Sequence, residues 1–334
     1  SIIQVAMKAL IIGANGFVGA NLTRRLLEKK WDASVFIRSK SKFLKLEKET
    51  GIKKVTVGNI ADIGSLKKAT RGIDIVFNCA AALPYHNLSD RSYWEVNVKG
   101  VKNIMEACRW SKVKRVVHIS TVGIYGPTLN KTANEKSEYK ISDVYSKTKL
   151  EGEEIVWEYI KKGLPAIIIK PTIAYGPGDT RPGFLNLFTL IKKNMFVSIG
   201  RGDNYFHTIY IENLVDALVL VATNDAAIGE DFIIGDYPCP TMKKIVKTIA
   251  NVQDKKLYPF YIPTVIAYMV GVIFDFFERL GLPSPLNSRR VKFMTQNKRF
   301  SIKKAQKVLG YRPKIDLDEG IKRTFDWYKK EGLA

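Results

Sequence analysis

The sequence predicts an α/β fold, in which a doubly wound parallel sheet is followed by a smaller, irregular C-terminal part. The first half of the chain alternates short apolar runs, rich in β-branched residues, with amphipathic stretches at helical spacing. Continuous apolar runs separated by helices are typical of parallel strands that are covered on both faces. After about Pro171 the pattern becomes irregular and richer in Gly, Pro and aromatic residues. We expect a first domain over residues 7–170 and a second part over 171–334, with residues from about 205 to 235 returning to the first domain.

The expected elements alternate along the first half of the chain. Strands are expected at 9–12, 34–37, 54–57, 75–77, 116–119 and 166–169, and helices at 18–28, 64–71, 92–110 and 143–162. In a doubly wound sheet the ligand lies beyond the carboxyl ends of the strands. The side chains that follow the strands are therefore the first candidates for function.

Composition and charge exclude several classes of protein. The 334 residues are 46% hydrophobic and 26% charged, which excludes a disordered or collagen-like chain. Three cysteines and three scattered histidines give neither a disulfide framework nor a metal-ligand pattern, so we expect no metal and a reducing, cytoplasmic compartment. The net charge of +22 is spread along the chain without a nucleic-acid-binding signature. We therefore expect no nucleic-acid partner.

A glycine-rich loop follows the first strand and opens the first helix. Glycines let the backbone turn tightly and approach a pyrophosphate, and a helix N-terminus offers it free N–H groups and a positive dipole end. The sequence therefore predicts a dinucleotide site in the first domain. The cofactor-binding residues assigned to this loop are Gly13, Asn15, Gly16, Phe17, Val18 and Gly19.

The G-x-x-G-x-x-G spacing of this loop resembles that of the extended branch of the short-chain dehydrogenase/reductase superfamily, which includes NAD-dependent epimerases and dehydratases. The resemblance covers nearly the whole chain, because the C-terminal segments 301–305 and 309–313 also fit this branch. It implies a Rossmann fold, a nicotinamide cofactor and an enzyme.

The end of the second strand bears on the choice of cofactor. An acidic residue there favours NAD, because it binds the adenosine ribose hydroxyls. Here Ile37 is followed by Arg38, Ser39 and Lys40, and an arginine can pair with a 2′-phosphate. This arrangement resembles dihydroflavonol-reductase-type relatives and implies NADP, with NAD as the alternative. Asn59, followed by Ile60, stands where the superfamily usually has an Asp near the adenine.

Tyr145 and Lys149 are spaced four residues apart on an expected helix, which places both side chains on one face. The lysine ammonium would stabilise the phenolate form of the tyrosine, which makes the phenol a usable acid or base near neutral pH. The family resemblance implies two further catalytic residues. Thr121 matches the hydroxyl residue that orients the substrate oxygen, and Asn97 matches an active-site Asn that supports a water link to the lysine.

The resemblance also assigns residues beside the nicotinamide and the substrate. Ala80 and Ala81 follow the fourth strand, Ser120 precedes Thr121, and Pro171 and Ile173 lie in the segment beside the nicotinamide. Tyr145 and Lys149 are expected to contact the cofactor as well. His86 is a candidate substrate contact in a loop. The residues assigned to substrate binding are Ala82, Thr121, Tyr145, Tyr175 and Phe206.

The segment 202–213 bears on the substrate. Nucleotide-sugar enzymes of this branch usually have an Arg that clamps the diphosphate, and Phe206 occupies that place. The segment 210–213, Tyr-Ile-Glu-Asn, is closer to 3β-hydroxysteroid dehydrogenase-like members. We therefore expect an NADP(H)-dependent oxidoreductase of a secondary alcohol or ketone on a hydrophobic, sterol-like substrate. The alternatives are a nucleotide-sugar 4-epimerase or dehydratase with bound NAD, and a non-catalytic cofactor-sensing or membrane-surface binding protein.

An apolar segment over 257–282 remains after these assignments. Pro259 and Pro263 interrupt its start, so the remaining helix is shorter than the roughly 20 residues that a membrane span requires. Basic residues flank it on both sides, which suits an anionic membrane surface. The segment is expected to meet the substrate, a second subunit in a homodimer, or the inner face of a membrane.

Overall fold

The computed structural model describes residues 7–41, 43–84, 88–281 and 287–333. His86 and Leu282 lie outside the described residues.

The central feature is a seven-stranded sheet in which every pair of neighbours is parallel. The strands of the sheet are β1 (Lys8–Ile12), β2 (Asp32–Ile37), β3 (Val55–Val57), β4 (Ile75–Asn78), β5 (Arg115–Ile119), β6 (Ala166–Pro171) and, further along the chain, β10 (Asp231–Ile234). Their spatial order is β10-β6-β5-β4-β1-β2-β3. The strand order reverses between β1 and β4, so this crevice is where a doubly wound sheet binds its ligand. The predicted fold class is confirmed.

Four short strands form two small sheets outside the central one. β7 (Ile173–Tyr175) pairs with β9 (Thr208–Tyr210), and β8 (Ser198–Ile199) pairs with β11 (Tyr261–Ile262). The α-helices are α1 (Phe17–Glu28), α2 (Leu44–Thr50), α3 (Ile63–Thr70), α4 (Asp90–Trp94), α5 (Gly100–Trp110), α6 (Val144–Lys161), α7 (Pro182–Lys192), α8 (Ile211–Thr223), α9 (Met242–Val252), α10 (Thr264–Arg279), α11 (Ser288–Thr295), α12 (Lys303–Leu309) and α13 (Leu317–Lys330).

Apolar side chains on both faces bury the central sheet. Successive residues of a strand point to opposite faces. Ala9 and Ile11 of β1 belong to one buried apolar cluster, whereas Leu10 and Ile12 belong to a second. The continuous apolar pattern of β1 therefore reflects helices packed on both sides of the sheet.

The helix expected over 92–110 differs from a single regular helix. It consists of α4, a π-helical turn at Glu95–Lys99, and α5. Gly152 of α6 lies directly against the backbone carbonyl of Asn97 in this turn. The widened turn brings the backbone of Asn97 against α6, and π-helical turns of this kind are frequent at functional sites.

Candidate active site

The glycine loop connects β1 to α1 and packs against the residues that follow β4, at the reversal of the strand order. Gly13 has a φ of +86°, and a Cβ atom there would lie 2.8 Å from the backbone nitrogen of Ala80. A Cβ on Gly19 would overlap the carbonyl oxygen of Gly13. Only glycine fits at both positions, because the first has a left-handed backbone conformation and the second brings α1 against the loop.

The loop leaves the N-terminus of α1 accessible to a ligand. Gly16 caps this helix in an extended conformation, and no side chain forms a capping hydrogen bond. The first N–H groups of a helix lack partners within the helix and attract anions, as the positive end of the helix dipole does. Phe17 and Val18 begin α1, and the Phe17 ring lies 4.5 Å from the guanidinium carbon of Arg181. These residues fit the pyrophosphate of a dinucleotide.

The residues expected near the adenosine lie at the ends of β2 and β3. The Asn15 side chain donates a 3.1 Å hydrogen bond to the carbonyl of Ser39, which fixes the glycine loop to the end of β2. Arg38 and Lys40 are exposed, so their side chains can reach a ligand. Asn59 accepts a 3.0 Å hydrogen bond from the N–H of Ala61. The amide of Asn59 therefore shapes the turn before α3.

Ile60 packs beside the helix that follows the π-helical turn. A Cβ atom on Gly100 would lie 3.0 Å from Cγ1 of Ile60. Ala80 and Ala81, which follow β4, are half-buried, as are Pro171 and Ile173 around the end of β6. These four residues therefore lie at the carboxyl ends of central strands, where the family resemblance implies the nicotinamide.

Tyr145 and Lys149 lie on the first two turns of α6. Asp143 caps this helix by accepting a 2.7 Å hydrogen bond from the N–H of Ser146. Tyr145 is half-buried, whereas Lys149 is buried and its Nζ donates a 2.6 Å hydrogen bond to the carbonyl of Ile119. The helix therefore holds the lysine ammonium against the end of β5.

Burial dominates the electrostatics of Lys149. It lowers the pKa of Lys149 to about 8, and the negative charge of Glu153 partly opposes this shift. Burial also raises the pKa of the Cys79 thiol to about 12, so this thiol stays protonated and unreactive at neutral pH. A lysine with this pKa remains largely charged at neutral pH and loses its proton readily above it.

Thr121 lies between the end of β5 and the N-terminus of α6. Its Oγ1 accepts a 3.0 Å hydrogen bond from the N–H of Gly123, at the start of a short 3₁₀ turn. A Cβ atom on Gly123 would lie 3.2 Å from Oγ1 of Thr121 and 3.4 Å from Oγ of Ser146. The threonine hydroxyl is thus close to the turn of α6 that carries Tyr145. It keeps its own hydrogen to donate, because it accepts the bond from Gly123.

Asn97 forms its hydrogen bonds with protein groups. Its Oδ1 accepts from the N–H of Ala82 at 2.8 Å, and its Nδ2 donates to the carbonyl of Ala82 at 3.2 Å and to Oγ1 of Thr148 at 3.1 Å. Both ends of the buried amide are therefore engaged. The geometry makes Asn97 a positioning residue that ties the loop after β4 to α6, and its water link to Lys149 stays a prediction.

A buried charge network that the sequence analysis missed lies beneath these residues. Glu153 follows Lys149 by one helical turn and accepts a 2.8 Å hydrogen bond from Oγ of Ser120. The Nζ of Lys170 lies 2.8 Å from Glu153 and 2.6 Å from Asp231. Buried charges require such partners. A lone lysine in the apolar run of β6 was the signal in the sequence.

This network changes the expectation for Ser120. The Ser120 side chain is buried and its hydroxyl hydrogen is donated to Glu153, so that hydrogen is not available to a cofactor. The network joins the end of β5 to α6 through the carboxylate of Glu153. The negative charge of this carboxylate raises the pKa of Lys149. Glu153 is therefore the most informative residue that the sequence analysis overlooked.

The rings of Tyr175 and Phe206 are both buried, unlike a ring that faces a substrate. Tyr175 has no exposed surface and stacks on Phe184 with ring centroids 4.5 Å apart. It therefore packs in the core, which corrects the expected substrate contact. Phe206 is also buried, and the ammonium of Lys298 lies 5.2 Å from its ring centroid. Phe293 packs edge-on against the same ring.

The described residues contain no cluster of His, Cys, Asp or Glu that could hold a metal ion. His118 is buried in β5, where its Nδ1 pairs with the side-chain amide of Asn78 at 3.0 Å. Burial holds the pKa of His118 well below its usual value. This histidine is part of the core.

Comparison with known proteins gives a family match over most of the chain. The model of the NAD dependent epimerase/dehydratase family matches residues 9–235. The chain is 27% identical to mouse sterol-4-alpha-carboxylate 3-dehydrogenase, decarboxylating, over 96% of this chain and 91% of that one. It is 30% identical to 3beta-hydroxysteroid-dehydrogenase/decarboxylase isoform 1 of Arabidopsis thaliana, over 95% of this chain and 78% of that one. It is 28% identical to the N-acetyl-alpha-D-glucosaminyl-diphospho-ditrans,octacis-undecaprenol 4-epimerase of Escherichia coli O157:H7, over 95% and 94%.

Solved structures show the same fold at lower identity. The structure of gox2253 superposes with a TM-score of 0.79 at 22% identity, over 98% of this chain and 99% of that one. UDP-glucuronic acid 4-epimerase from Bacillus cereus, solved in complex with NAD, superposes with a TM-score of 0.77 at 21% identity, over 97% and 99%.

Proposed function

The chain belongs to the NAD-dependent epimerase/dehydratase family of NAD(P)-dependent enzymes, and from this premise we propose that it is an NADP(H)-dependent oxidoreductase. The reaction interconverts a secondary alcohol and a ketone on a hydrophobic, sterol-like substrate. The observation that carries this proposal is the placement of Lys149 and Thr121 around the first turns of α6, next to Tyr145.

The residues present fit a dinucleotide. Gly13 and Gly19 let the loop pack tightly against Ala80 and α1, and the N-terminus of α1 beside it has no side-chain cap that would compete with a phosphate. A bound nicotinamide supplies the acceptance or donation of hydride at the substrate carbon. Arg38, Ser39 and Lys40 would bind the 2′-phosphate of NADP, because the end of β2 offers cationic side chains and no carboxylate.

The catalytic roles follow from the chemistry of the three side chains. Tyr145 gives a proton to the substrate oxygen in reduction and removes it in oxidation. Thr121 donates a hydrogen bond that orients this oxygen. Lys149 favours the anionic form of Tyr145 by its positive charge, and Asn97 holds Ala82 and Thr148 in place around it.

The hydrophobic substrate is supported by the lack of a diphosphate-clamping Arg at position 206 and by the relatives. Phe206 lies in a ring cluster with Phe293 where a diphosphate-clamping Arg would otherwise stand. The mouse relative is a sterol-4-alpha-carboxylate 3-dehydrogenase, and the Arabidopsis relative is a 3beta-hydroxysteroid-dehydrogenase/decarboxylase. In this proposal, residues 7–170 hold the cofactor and residues 171–334 mainly the substrate, in a cytoplasmic enzyme.

A nucleotide-sugar-type 4-epimerase with bound NAD is the second candidate. Lys298 Nζ, 5.2 Å from the Phe206 ring centroid, lies close to the position of the missing Arg, and a bound diphosphate would favour its charged form, because burial lowers the pKa of Lys298 to about 7. The Escherichia coli relative is a 4-epimerase of a diphosphate-linked sugar. A non-catalytic binding protein is disfavoured by the intact Tyr145 and Lys149 pair.

A substrate panel tests the choice. Purified protein is incubated with NADP or NAD and with sterol-like alcohols, flavonoid-like alcohols and UDP-sugars, while nicotinamide absorbance and epimer formation are followed. Net NADPH formation with a hydrophobic alcohol is expected. Epimer formation without net change in absorbance would instead establish the second candidate, and Tyr145→Phe serves as the inactive control in every arm.

A further inference from the structure

The outward face of α10 is an apolar surface with no covering element in the described part of the chain. Ala267 and Gly271 face inward, because Ala267 is 1% exposed and a Cβ atom on Gly271 would lie 2.8 Å from the nitrogen of Ser288. The outward residues are 37% to 70% exposed. They are Val265, Ile266, Met269, Val270, Val272, Ile273, Phe276, Phe277 and Leu280. At 100° per residue these nine side chains fill one continuous arc of the helix.

The two acidic residues of α10 are turned away from this arc. Asp275 accepts a 3.2 Å hydrogen bond from the N–H of Ser288, and both carboxylate oxygens of Glu278 accept from the side-chain amide of Asn287. Their charges are thus used to hold the start of α11. The exposed arc is left without a negative charge.

Exposed aromatic side chains also lie in the segment just before α10. Tyr258 and Phe260 stack with ring centroids 5.3 Å apart just before β11, and both are exposed. Tyr261 of β11 is exposed as well. An apolar surface of this extent is unusual on a soluble monomer and marks a site of interaction.

The surroundings of the arc are strongly basic. Between Lys255 and Arg299 the sequence holds eight Lys and Arg residues and two acidic residues, Asp275 and Glu278, which lie outside the apolar arc. Arg289, Arg290 and Lys292 are exposed on α11, which packs on α10.

An open cavity near the start of α10 adds two cations to this count, Lys243 and Lys247. It has a volume of about 450 Å³ and lies between α9, β8 and Met294 of α11. Its floor is apolar, with Phe196, Val246 and Leu257 among the lining residues. Its basic lining residues are Lys243, Lys247, Lys255 and Lys256. β8 pairs with β11, which ends directly before α10, so the cavity lies near the start of this helix.

We propose that α10 docks this protein on the surface of an anionic lipid bilayer. The apolar arc enters the boundary between headgroups and acyl chains, and the neighbouring Lys and Arg residues bind the anionic headgroups. α10 lies in the plane of the membrane, since its 16 residues would extend only about 24 Å. None of the described helices is long and apolar enough to cross a bilayer. A partner protein or a second subunit would also cover the arc. Neither would require the surplus of cations around the arc, whereas an anionic membrane surface does.

Vesicle co-sedimentation tests the docking. The full chain is mixed at low salt with vesicles of equal parts phosphatidylcholine and phosphatidylglycerol, or of phosphatidylcholine alone. We expect strong pelleting with the anionic vesicles, weak pelleting with the neutral ones, and release as salt rises. Protein that remains in the supernatant with anionic vesicles at low salt would overturn the proposal.

Variants separate the apolar contribution to vesicle binding from the electrostatic contribution. Ile273→Ser combined with Phe276→Ser should lower the partition coefficient roughly a hundredfold, because two well-exposed apolar side chains are lost. Leu129→Ser, which changes a 67% exposed side chain elsewhere, is the matched control and should bind as the wild type. Lys255→Gln with Lys256→Gln should weaken only the binding to anionic vesicles.

Two further readouts complete the test. Cofactor affinity and melting temperature should be unchanged in the Ile273→Ser, Phe276→Ser variant, which shows that it is folded. Sedimentation equilibrium without lipid should give a monomer. A dimer that this variant dissociates, or equal pelleting of variant and wild type, would show that α10 is not a membrane-docking helix.

Discussion

The hydroxyl of Ser120 donates a 2.8 Å hydrogen bond to Oε2 of Glu153 inside the protein. Ser120 directly precedes Thr121, and Glu153 lies one helical turn after Lys149. One buried carboxylate therefore joins the strand end and the helix that position the proposed catalytic residues. Its negative charge raises the pKa of Lys149, which burial otherwise lowers.

Glu153→Gln is expected to shift the alkaline limb of the pH–rate profile towards lower pH. Without this negative charge, burial lowers the pKa of Lys149 further below about 8, and the ammonium form is lost earlier as pH rises. The measurement is kcat against pH, with melting temperature recorded for each variant. Glu154→Gln changes the exposed neighbouring carboxylate and should leave the profile unchanged. An unshifted limb in folded Glu153→Gln would remove the link to Lys149.

Tyr145→Phe is expected to lower kcat at least about a hundredfold while cofactor affinity survives. The phenylalanine keeps the ring but cannot transfer the proton, a role worth roughly 10²- to 10⁴-fold in rate. Steady-state kinetics and calorimetry of cofactor binding measure the two effects separately. Near-normal turnover would show that another group transfers the proton.

Arg38→Asp is expected to reverse a preference for NADP over NAD. The wild-type end of β2 offers the exposed cations Arg38 and Lys40, whereas a carboxylate there would bind the ribose hydroxyls and repel a 2′-phosphate. Calorimetric titration of both proteins with both cofactors gives the four dissociation constants. Equal or tighter NAD binding by the wild type would contradict the proposed cofactor.

Gly152→Ala is expected to lower the free energy of unfolding by about 1–3 kcal/mol. The added methyl group would overlap the backbone carbonyl of Asn97, so α6 must move away from the π-helical turn. Gly183→Ala in α7 is the matched control, because a Cβ atom there has no neighbour within 4 Å. The control should be neutral or gain about 0.5–1 kcal/mol from helix propensity. Urea unfolding of the two variants measures the difference, and equal stabilities would count against the close contact.

His207 is expected to make the protein less stable in mild acid. Its ring is buried between the carbonyl of Asp236, 2.8 Å from Nε2, and the N–H of Phe300, 3.3 Å from Nδ1. Burial lowers the pKa of His207 to about 4. Below the ordinary pKa of about 6.5 the unfolded chain binds a proton that the native ring excludes. The contribution of His207 to the free energy of unfolding is therefore complete above pH 6.5. It falls by about 1.4 kcal/mol per pH unit as the pH is lowered to about 4.

His207→Gln isolates this effect, because the amide can replace both hydrogen bonds and does not titrate. Urea unfolding between about pH 7.5 and pH 5 should give a shallower pH dependence for the variant than for the wild type. Parallel curves for the two proteins would show that His207 titrates normally in the native state.

The sequence predicted most of the central sheet because its signals are local. The apolar runs at 9–12 and 166–169 place β1 and β6 to within two residues, and the glycines after β1 mark the loop. The π-helical turn inside 92–110 had no such signal, since it depends on Gly152, which is far along the chain. Lys170 was overlooked for the same reason, because its partners Glu153 and Asp231 lie on other elements.

By itself, the sequence determined the fold class, the family and the pair of Tyr145 and Lys149, because each depends on residue type and spacing along the chain. Only the tertiary structure decided that Ser120 binds Glu153, that Asn97 engages Ala82 and Thr148, and that Tyr175 belongs to the core. The same holds for the exposed arc of α10, whose apolar composition is plain in the sequence while its exposure is not. Hydrogen-bond partners and burial depend on distances in space, and these are set by packing between elements that are remote in the chain.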